Sequence, residues 1–265
     1  MDLSLVIPVH SDVRIERCVQ SIDQAVEVVV VMNNPTKEVS DIVARLGIRS
    51  VVIPQQNLGI CYNQGMDASN NELVLFMDSD CVFAAGTIEK MYVAKEKNPQ
   101  ALVRGNVAFQ ENSFQSRITK SAREVTTSNV PYAFIPPLLL DKDVFGRIGD
   151  RYRFAEDVGW CVDFEFEIRR RKAGIGLVHL ADAPIYHDPI TIMDDFRSAF
   201  KYGTGKRIRH ERTGEQVNFL DVLKDPIIKG YRERGLSTAL YLSLWKAVLY
   251  SGYYAQALRL YKANR

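Results

Sequence analysis

The chain has 265 residues, of which 46% are hydrophobic and 25% are charged, as in an ordinary globular protein with a sizeable core. Its formal net charge of +2 gives no case for bulk nucleic-acid binding. The four cysteines are widely spaced and form no C-x-x-C pair. This spacing argues against a zinc site and against a secreted disulfide scaffold, and it predicts a cytoplasmic protein.

Short apolar runs alternate with amphipathic segments along the first half of the chain. The opening stretch MDLSLVIPVHSD has no basic region and an apolar run of only five residues, so it predicts a first strand rather than a signal peptide. The alternation predicts right-handed crossovers and a parallel sheet. The predicted strands are Leu3–Ile7, Val26–Met32, Arg49–Ile53, Leu73–Met77 and Leu102–Phe109. The predicted helices are Val13–Ala25, Val39–Leu46 and Thr87–Lys97.

The middle of the chain is less regular. Pro131–Leu140 is apolar but broken by prolines, so we expect a wall or an edge segment rather than a central strand. Val162–Ala173 predicts a helix that ends at Gly174. Two short strands should follow, at Ile175–His179 and Ala183–His187.

The C-terminal part predicts mainly helices. Asp194–Tyr202 predicts a helix. The basic, glycine-containing stretch Gly203–Arg212 predicts a loop, which either closes over a phosphate group or is exposed to solvent. From residue 213 onward helix-forming residues dominate. Leu236–Leu260 is rich in leucine and tyrosine but too polar to span a bilayer.

Two aspartates, Asp78 and Asp80, follow the apolar run Leu73–Met77 directly. Ligands bind at the carboxyl ends of strands in open α/β sheets, and two such close carboxylates repel each other unless a cation lies between them. The alternative for an isolated D-x-D sequence is a solvated turn. Its position after a buried strand, and the motifs described next, favour a cation site.

Glycines and asparagines recur in the segment NLGICYNQG, which leads into a helix ending near Asn70, and in Arg104-Gly105-Asn106, which interrupts a predicted strand. Glycine lets the backbone approach a ligand closely, and asparagine supplies amide partners. Each segment alone is weak, because the same residues also punctuate turns.

Taken in order, these motifs resemble the inverting family 2 of nucleotide-sugar-dependent glycosyltransferases with the GT-A fold. The resemblance covers about Leu3 to Tyr202. It rests on LSLVIPVH, the D-S-D sequence, the two glycine segments, VDFEFEIRRRKAG and His187. It implies an α/β fold with a mostly parallel, Rossmann-like sheet flanked by helices, and it implies transfer of a sugar from a nucleotide diphosphate to an acceptor hydroxyl.

The resemblance also implies roles for individual residues. A manganese or magnesium ion would be held by Asp78, Asp80 and His187. The nucleotide sugar would contact Pro8, Val9, Asn33, Asn57, Gly59, Asn63, Asp78, Ser79, Arg104 and Gly105. Asn33 departs from the family pattern, because an aspartate usually stands there, so an amide replaces the carboxylate that would contact the base or ribose.

The general base has two candidates. Counting back from Gly174 places Asp163 in the family register, together with Glu165 and Arg169, whereas a literal Glu-Asp pair ends at Asp157. The spacing favours Asp163. An acidic residue in a first helical turn is also stabilised by the helix dipole. The alternative is that Asp163 only caps the helix and has no catalytic role.

We expect a catalytic domain at residues 1–212, with a nucleotide-sugar half to about 109 and an acceptor half to 212, and a helical extension at 213–265. The acceptor would be a saccharide or a lipid-linked molecule, with no nucleic acid involved. The helix at Leu236–Leu260 should pack on the enzyme or on a second subunit, with peripheral contact at the inner face of a membrane as the lesser option. A non-catalytic nucleotide-sugar-binding relative and a nucleotidyltransferase are the alternative functions.

Overall fold

The computed structural model describes residues 1–149, 153–214 and 219–263, which form two compact units. The first unit comprises Met1–Ala108, Pro131–Glu156 and Val162–His187, and it contains the sheet. The second comprises Phe109–Val130, Asp157–Cys161 and Asp188–Arg265, and it is mainly helical. The predicted functional division at residue 212 stays a prediction.

Within the described residues, eight strands form one mixed sheet in the order β3-β2-β1-β4-β7-β6-β8-β5. The first four neighbours pair in parallel, whereas β7 runs antiparallel to both β4 and β6, and β5 antiparallel to β8. This confirms the predicted α/β class. The strands are β1 Leu3–Val9, β2 Glu27–Asn33, β3 Arg49–Ile53, β4 Leu73–Phe76, β5 Cys81–Phe83, β6 Leu102–Phe109, β7 Leu138–Asp141 and β8 Leu177–His187.

The helices of the first unit begin and end at recognisable signals. Thr36 caps α2, and Gly47 ends it in the left-handed conformation. Asn57 caps α3 by accepting a hydrogen bond from the Ile60 amide. The helices described in this unit are α1 Ile15–Gln20, α2 Lys37–Leu46, α3 Leu58–Ala68, α4 Thr87–Lys97, α6 Val144–Ile148 and α7 Val162–Lys172.

The second unit holds the remaining helices. They are α5 Phe114–Arg123, which continues as a π-helical turn to Ser128, then α8 Ile192–Thr213, α9 Phe219–Arg234 and α10 Leu236–Ala263. The predicted C-terminal helices are therefore confirmed. In the described part of the chain no helix is long and apolar enough to cross a membrane.

Three predictions about the strands were wrong. Pro131–Leu140 is not an edge or wall segment throughout, because its end forms β7, a central strand with fully buried Leu138, Leu139 and Leu140. The prolines precede this strand and so remove no hydrogen bond from its ladders. The two short strands expected between Ile175 and His187 are one continuous strand, β8, and Arg104-Gly105-Asn106 does not interrupt β6.

The basic segment Gly203–Arg212 is helix rather than loop, because it continues α8 to Thr213. Its glycines are explained by packing, not by a helix end. A side chain at Gly203 would overlap the carbonyl oxygen of Leu249 in α10, and one at Gly252 of α10 would overlap the carbonyl oxygen of Phe200 in α8. Each helix therefore supplies a glycine where the other approaches.

A buried polar cluster also holds the second unit together. The Arg123 guanidinium pairs with the Asp195 carboxylate, which accepts a further hydrogen bond from the Tyr241 hydroxyl at 2.5 Å. Arg123 also lies 5.8 Å from the Tyr202 ring centroid and 5.7 Å from that of Trp245. These contacts join α5, α8 and α10, so the charges of Arg123 and Asp195 are both compensated where they are buried.

We predict that Gly203→Ala destabilises the second unit by about 1–3 kcal/mol, the usual cost of overpacking a close contact. The measurement is urea unfolding followed by tryptophan fluorescence, because both tryptophans, Trp160 and Trp245, belong to this unit. Gly146→Ala is the matched control, since its added methyl group would meet only the Asp143 carboxylate, at 3.4 Å. An equal midpoint for Gly203→Ala and the unsubstituted protein would contradict the proposed role of this close approach.

Candidate active site

The carboxyl ends of three neighbouring parallel strands define the candidate site. β2, β1 and β4 lie side by side, so the residues that follow them meet at one edge of the sheet. Pro8 and Val9 end β1, Asn33 ends β2, and Asp78 lies two residues beyond β4. This strand order brings these residues, which the sequence indicates as site candidates, to one edge of the sheet.

The register of a second strand pair brings His187 to the D-S-D turn. β5 starts immediately after Asp80, and its first residue, Cys81, lies opposite His187 at the end of β8. This pairing places His187 Nε2 at 3.3 Å from Asp80 Oδ2, and the Cys81 thiol donates to Asp80 Oδ1 at 3.4 Å. A third group, Arg14 Nη2, lies 3.7 Å from Asp80 Oδ2.

The two aspartates have opposite electrostatic character. Burial raises the pKa of Asp78 to about 8, and the nearby charges of Asp80 and Asp163 add to this effect while His187 opposes it. Burial also acts on Asp80, but the hydrogen bond and charge of His187 and the charge of Arg14 outweigh it and lower the pKa of that carboxyl to about 2. Asp80 is therefore ionised at neutral pH, and Asp78 retains its proton until a further positive charge arrives.

Asp80, Cys81 and His187 could hold a metal ion, because one donor atom from each lies within 4.8 Å of the others. A carboxylate and an imidazole suit a first-row divalent ion such as manganese, and a thiol adds a softer donor. Asp80 and His187 thus fit a divalent cation such as the one that the sequence predicts, whereas burial raises the pKa of the Cys81 thiol well above its usual range and keeps it protonated; Cys81 was missed, and the three-residue group does not include Asp78. The signal for Cys81 lies in the strand register, which the sequence alone does not give.

Asp163 lies in the first turn of α7, where its Oδ1 accepts a hydrogen bond from the Phe164 amide at 2.8 Å. Burial raises the pKa of Asp163 to about 6, although backbone amides and the Arg104 charge oppose the rise. Arg104 is fully buried in β6, with its guanidinium 5.5 Å from the centroid of the Phe134 ring. A carboxylate with a pKa near neutrality is suited to exchange a proton.

The other acids of α7 are committed to ion pairs. Glu165 binds Arg169 through two carboxylate oxygens, and Glu167 binds Arg170 and Arg171. Glu167 also accepts a hydrogen bond from the backbone amide of Ala133. Of the three acidic residues in this part of α7, only Asp163 is therefore free of an arginine partner from the same helix, because Arg169, Arg170 and Arg171 neutralise Glu165 and Glu167.

The alternative base, Asp157, has a different environment. It belongs to the second unit, its side chain is 57% exposed, and both its oxygens accept hydrogen bonds from Arg212, at 2.5 and 2.7 Å. The preceding residue, Glu156, belongs to the first unit. Asp157 thus lies outside the unit that contains Asp78, Asp80 and Asp163.

The segment NLGICYNQG is part of α3 rather than a loop before it, and its polar groups bind the protein's own backbone. Asn63 donates to the Phe154 carbonyl and accepts from the Phe154 amide, both at 3.0 Å, and it also donates to Glu156 Oε1. Asn57 donates to the Glu156 carbonyl. A side chain at Gly59 would come within 2.5 Å of the Ala155 carbonyl oxygen. Asn57, Gly59 and Asn63, which were predicted to contact the nucleotide sugar, thus contact the segment 154–156 of the protein.

The remaining predicted contacts vary in their surroundings. Gly105 has a packing role, because an added side chain would lie 2.5 Å from the Ala183 carbonyl oxygen. Ser79 is nearly buried between the two aspartates. Asn33 Oδ1 accepts a hydrogen bond from the Asn57 amide. Beside it lies His10, which was missed, with Nδ1 at 2.9 Å from the Asn33 carbonyl oxygen.

The basic stretch of α8 contacts α10 within the second unit. Lys206 reaches the Tyr250 hydroxyl, and Arg207 and His210 reach that of Tyr253. Arg207 is also paired with Glu211. A closing loop was the wrong interpretation, because these cations lie in a helix packed against tyrosines.

Residues 4–152 match the sequence profile of glycosyl transferase family 2. This match spans more than half of the chain, so the chain belongs to glycosyl transferase family 2 and is a glycosyltransferase. The alternative of a nucleotidyltransferase is thereby disfavoured. A search of curated proteins found no match.

The fold is similar to that of crystal structures of TarS from S. aureus. TarS 1-349 has a TM-score of 0.56 at 17% identity, and the alignment covers 100% of this chain and 92% of that one. TarS 1-349 in complex with UDP-GlcNAc has a TM-score of 0.55 at 15% identity, covering 99% and 92%. Against a longer TarS structure, at TM-score 0.55 and 17% identity, the alignment covers 96% of this chain and 54% of that one, so the chain spans about half its length. At such identities the likeness shows the fold alone.

We predict that Asp78→Asn stabilises the protein at alkaline pH in the presence of a chelator. The folded state keeps the Asp78 proton up to a pKa of about 8, whereas the unfolded carboxyl loses it near its ordinary value. The stabilisation that this proton gives is thus complete below the ordinary pKa of an aspartate. It decreases as the pH rises from there to the folded-state pKa of about 8. The gain in melting temperature of the variant should therefore grow from about pH 4 to about pH 8.

Manganese should narrow this gap, because a cation held by Asp80 and His187 also neutralises the ionised Asp78 carboxylate, and the variant lacks that carboxylate. Asp182→Asn is the control, since it removes an exposed carboxylate of β8 that pairs with Lys90. A variant at Asp78 that melts below the unsubstituted protein at pH 9 would show that this carboxylate is not under the repulsion described.

Proposed function

We propose that the chain is an inverting, metal-dependent glycosyltransferase that moves a sugar from a nucleotide diphosphate to an acceptor hydroxyl. The observation that carries this proposal is a difference between carboxylates of one unit. Asp80 is held ionised beside His187, whereas Asp163 has a pKa raised to about 6. Carboxylates with separated pKa values are suited to separate roles, here cation binding and proton transfer.

The donor would lie over the ends of β1, β2 and β4. Asp80 and His187, with Asp78 and Cys81 beside them, would hold the cation, while Pro8, Val9, Asn33 and Ser79 would line the nucleotide site. When bound, a divalent cation neutralises the negative charge that develops on the departing diphosphate. TarS structures with UDP-GlcNAc and UDP support the donor class, since this chain has their fold.

Asp163 would accept the proton of the acceptor hydroxyl as its oxygen bonds to the anomeric carbon and the bond to the diphosphate breaks. Arg104 contributes a positive charge that favours the ionised base at neutral pH. An attack from the face opposite the leaving group inverts the anomeric centre. We propose a saccharide or lipid-linked acceptor, in surface polysaccharide or glycoconjugate synthesis.

We predict that Asp163→Asn lowers kcat by about 10²–10⁴-fold, the usual contribution of a positioned general base, with little change in donor affinity. The assay is release of nucleoside diphosphate from a panel of nucleotide sugars with manganese. The activity of the unsubstituted protein should fall below about pH 6, because protonated Asp163 cannot accept the proton. Asp157→Asn is the matched control, and a loss confined to that variant would assign the base to Asp157.

A second prediction concerns the cation. Asp80→Asn should abolish transfer, because it removes the carboxylate that stays ionised beside His187. Circular dichroism should show an unchanged fold. Binding of manganese, followed by its electron paramagnetic resonance signal, should be lost in this variant and retained in Asp182→Asn. Full activity of the unsubstituted protein in excess chelator would refute the metal dependence.

A further inference from the structure

Helix α10 is apolar on two opposite sides. One side packs within the second unit through buried residues that include Tyr241, Leu242, Leu249 and Tyr250. The other side carries six large apolar residues that are 55% to 63% exposed. We name these six residues the α10 stripe: Leu236, Leu240, Leu244, Tyr254, Leu258 and Tyr261. A helix that is apolar all round is normally covered on every side.

Three small residues lie in the middle of the stripe. Ser243, Ala247 and Ser251 follow one another at intervals of four and are exposed on the same side of the helix. At about 1.5 Å per residue, the stripe from Leu236 to Tyr261 extends over about 38 Å. Small side chains in the middle of a long apolar stripe allow a second helix to approach closely.

Four of the six residues of the α10 stripe form two pairs placed symmetrically about Ala247, whereas Leu244 and Tyr261 have no counterpart in the stripe. Leu236 and Leu258 lie eleven residues to either side of it, Leu240 and Tyr254 seven, and Ser243 and Ser251 four. A two-fold axis through Ala247 would therefore place leucine against leucine, leucine against tyrosine and serine against serine. Self-complementarity of this kind is what an isologous dimer interface requires.

Charge distinguishes a second copy from a membrane. The described part of α10 contains no acidic residue, and its exposed cations, Arg259 and Lys262, are confined to the C-terminal end. Helices that lie on anionic lipid carry Lys and Arg along the polar face. In an antiparallel pair the cationic ends of the two copies lie far apart, and the helix dipoles oppose, whereas a parallel pair would bring like charges together.

The area is sufficient for a weak but specific dimer. Six side chains with roughly 100 Å² exposed on each offer about 600 Å² per copy, or about 1,200 Å² in total, at the lower limit of specific interfaces. We propose that the α10 stripe forms a homodimer, in which α10 packs antiparallel against α10 of a second copy around Ala247. This proposal is independent of the reaction proposed above.

Sedimentation equilibrium of the full chain tests the dimer. We expect a dimer at micromolar concentration. Ala247→Glu should convert it to a monomer, because the substitution places two carboxylates opposite each other at the two-fold axis. Circular dichroism of the variant should be unchanged, because Ala247 is exposed. Val93→Glu, on the exposed side of α4, is the control and should remain dimeric. A monomeric unsubstituted protein at about 100 μM would overturn the proposal.

Disulfide trapping tests the antiparallel register. In a Cys161→Ser background, in which the remaining cysteines are buried, Ala247→Cys should cross-link with itself. Ser243→Cys should cross-link only when mixed with Ser251→Cys. Self-linking of Ser243→Cys would refute the antiparallel arrangement. A monomer that sediments with phosphatidylserine vesicles would overturn the dimer in favour of a lipid surface.

Discussion

Repulsion between carboxylates at the end of β4 is the constraint on which the arrangement of the first unit depends. Only Ser79 separates Asp78 from Asp80 in the sequence. The charges of Asp80 and Asp163 both raise the pKa of Asp78. The hydrogen bond and charge of His187 and the charge of Arg14 offset the charge of Asp80, whereas at Asp78 burial outweighs the charge of His187. The unit therefore satisfies one carboxylate and leaves the other protonated, which is costly for folding and useful for binding a cation. A bound cation would offset this cost, and its binding would therefore stabilise the folded protein.

The sequence predicts the elements whose signals are local. The bounds of β3, β6 and α4 agree with prediction residue for residue. Predictions were wrong where the explanation lies in a distant segment. The glycine at 203 seemed to end a helix, but its role is to admit the backbone of α10. No local pattern distinguishes these two uses of glycine.

The candidate site shows the same division. Asp78 and Asp80 are recognisable from the end of a buried strand, whereas Asp163 is predicted through the family resemblance, by its spacing from Gly174. Cys81 depends instead on the register of β5 against β8, which sets its thiol beside Asp80 and opposite His187. The separation of Asp163 from the other acidic residues of α7 also needed the structure, since only the side-chain contacts show that arginines bind Glu165 and Glu167.

A motif that predicts ligand contact can act through the protein's own backbone. Gly59 lets the Ala155 carbonyl approach α3, and Asn63 binds Phe154 through both its amide and its carbonyl. Phe154 is in turn buried against Tyr62, Phe76 and Phe166, so the segment 154–156 is anchored to a cluster of buried aromatic rings. Phe166 belongs to α7, the helix that carries Asp163. The asparagines and glycines of α3 thus position the candidate base through packing, and their contribution to catalysis would be geometric rather than chemical.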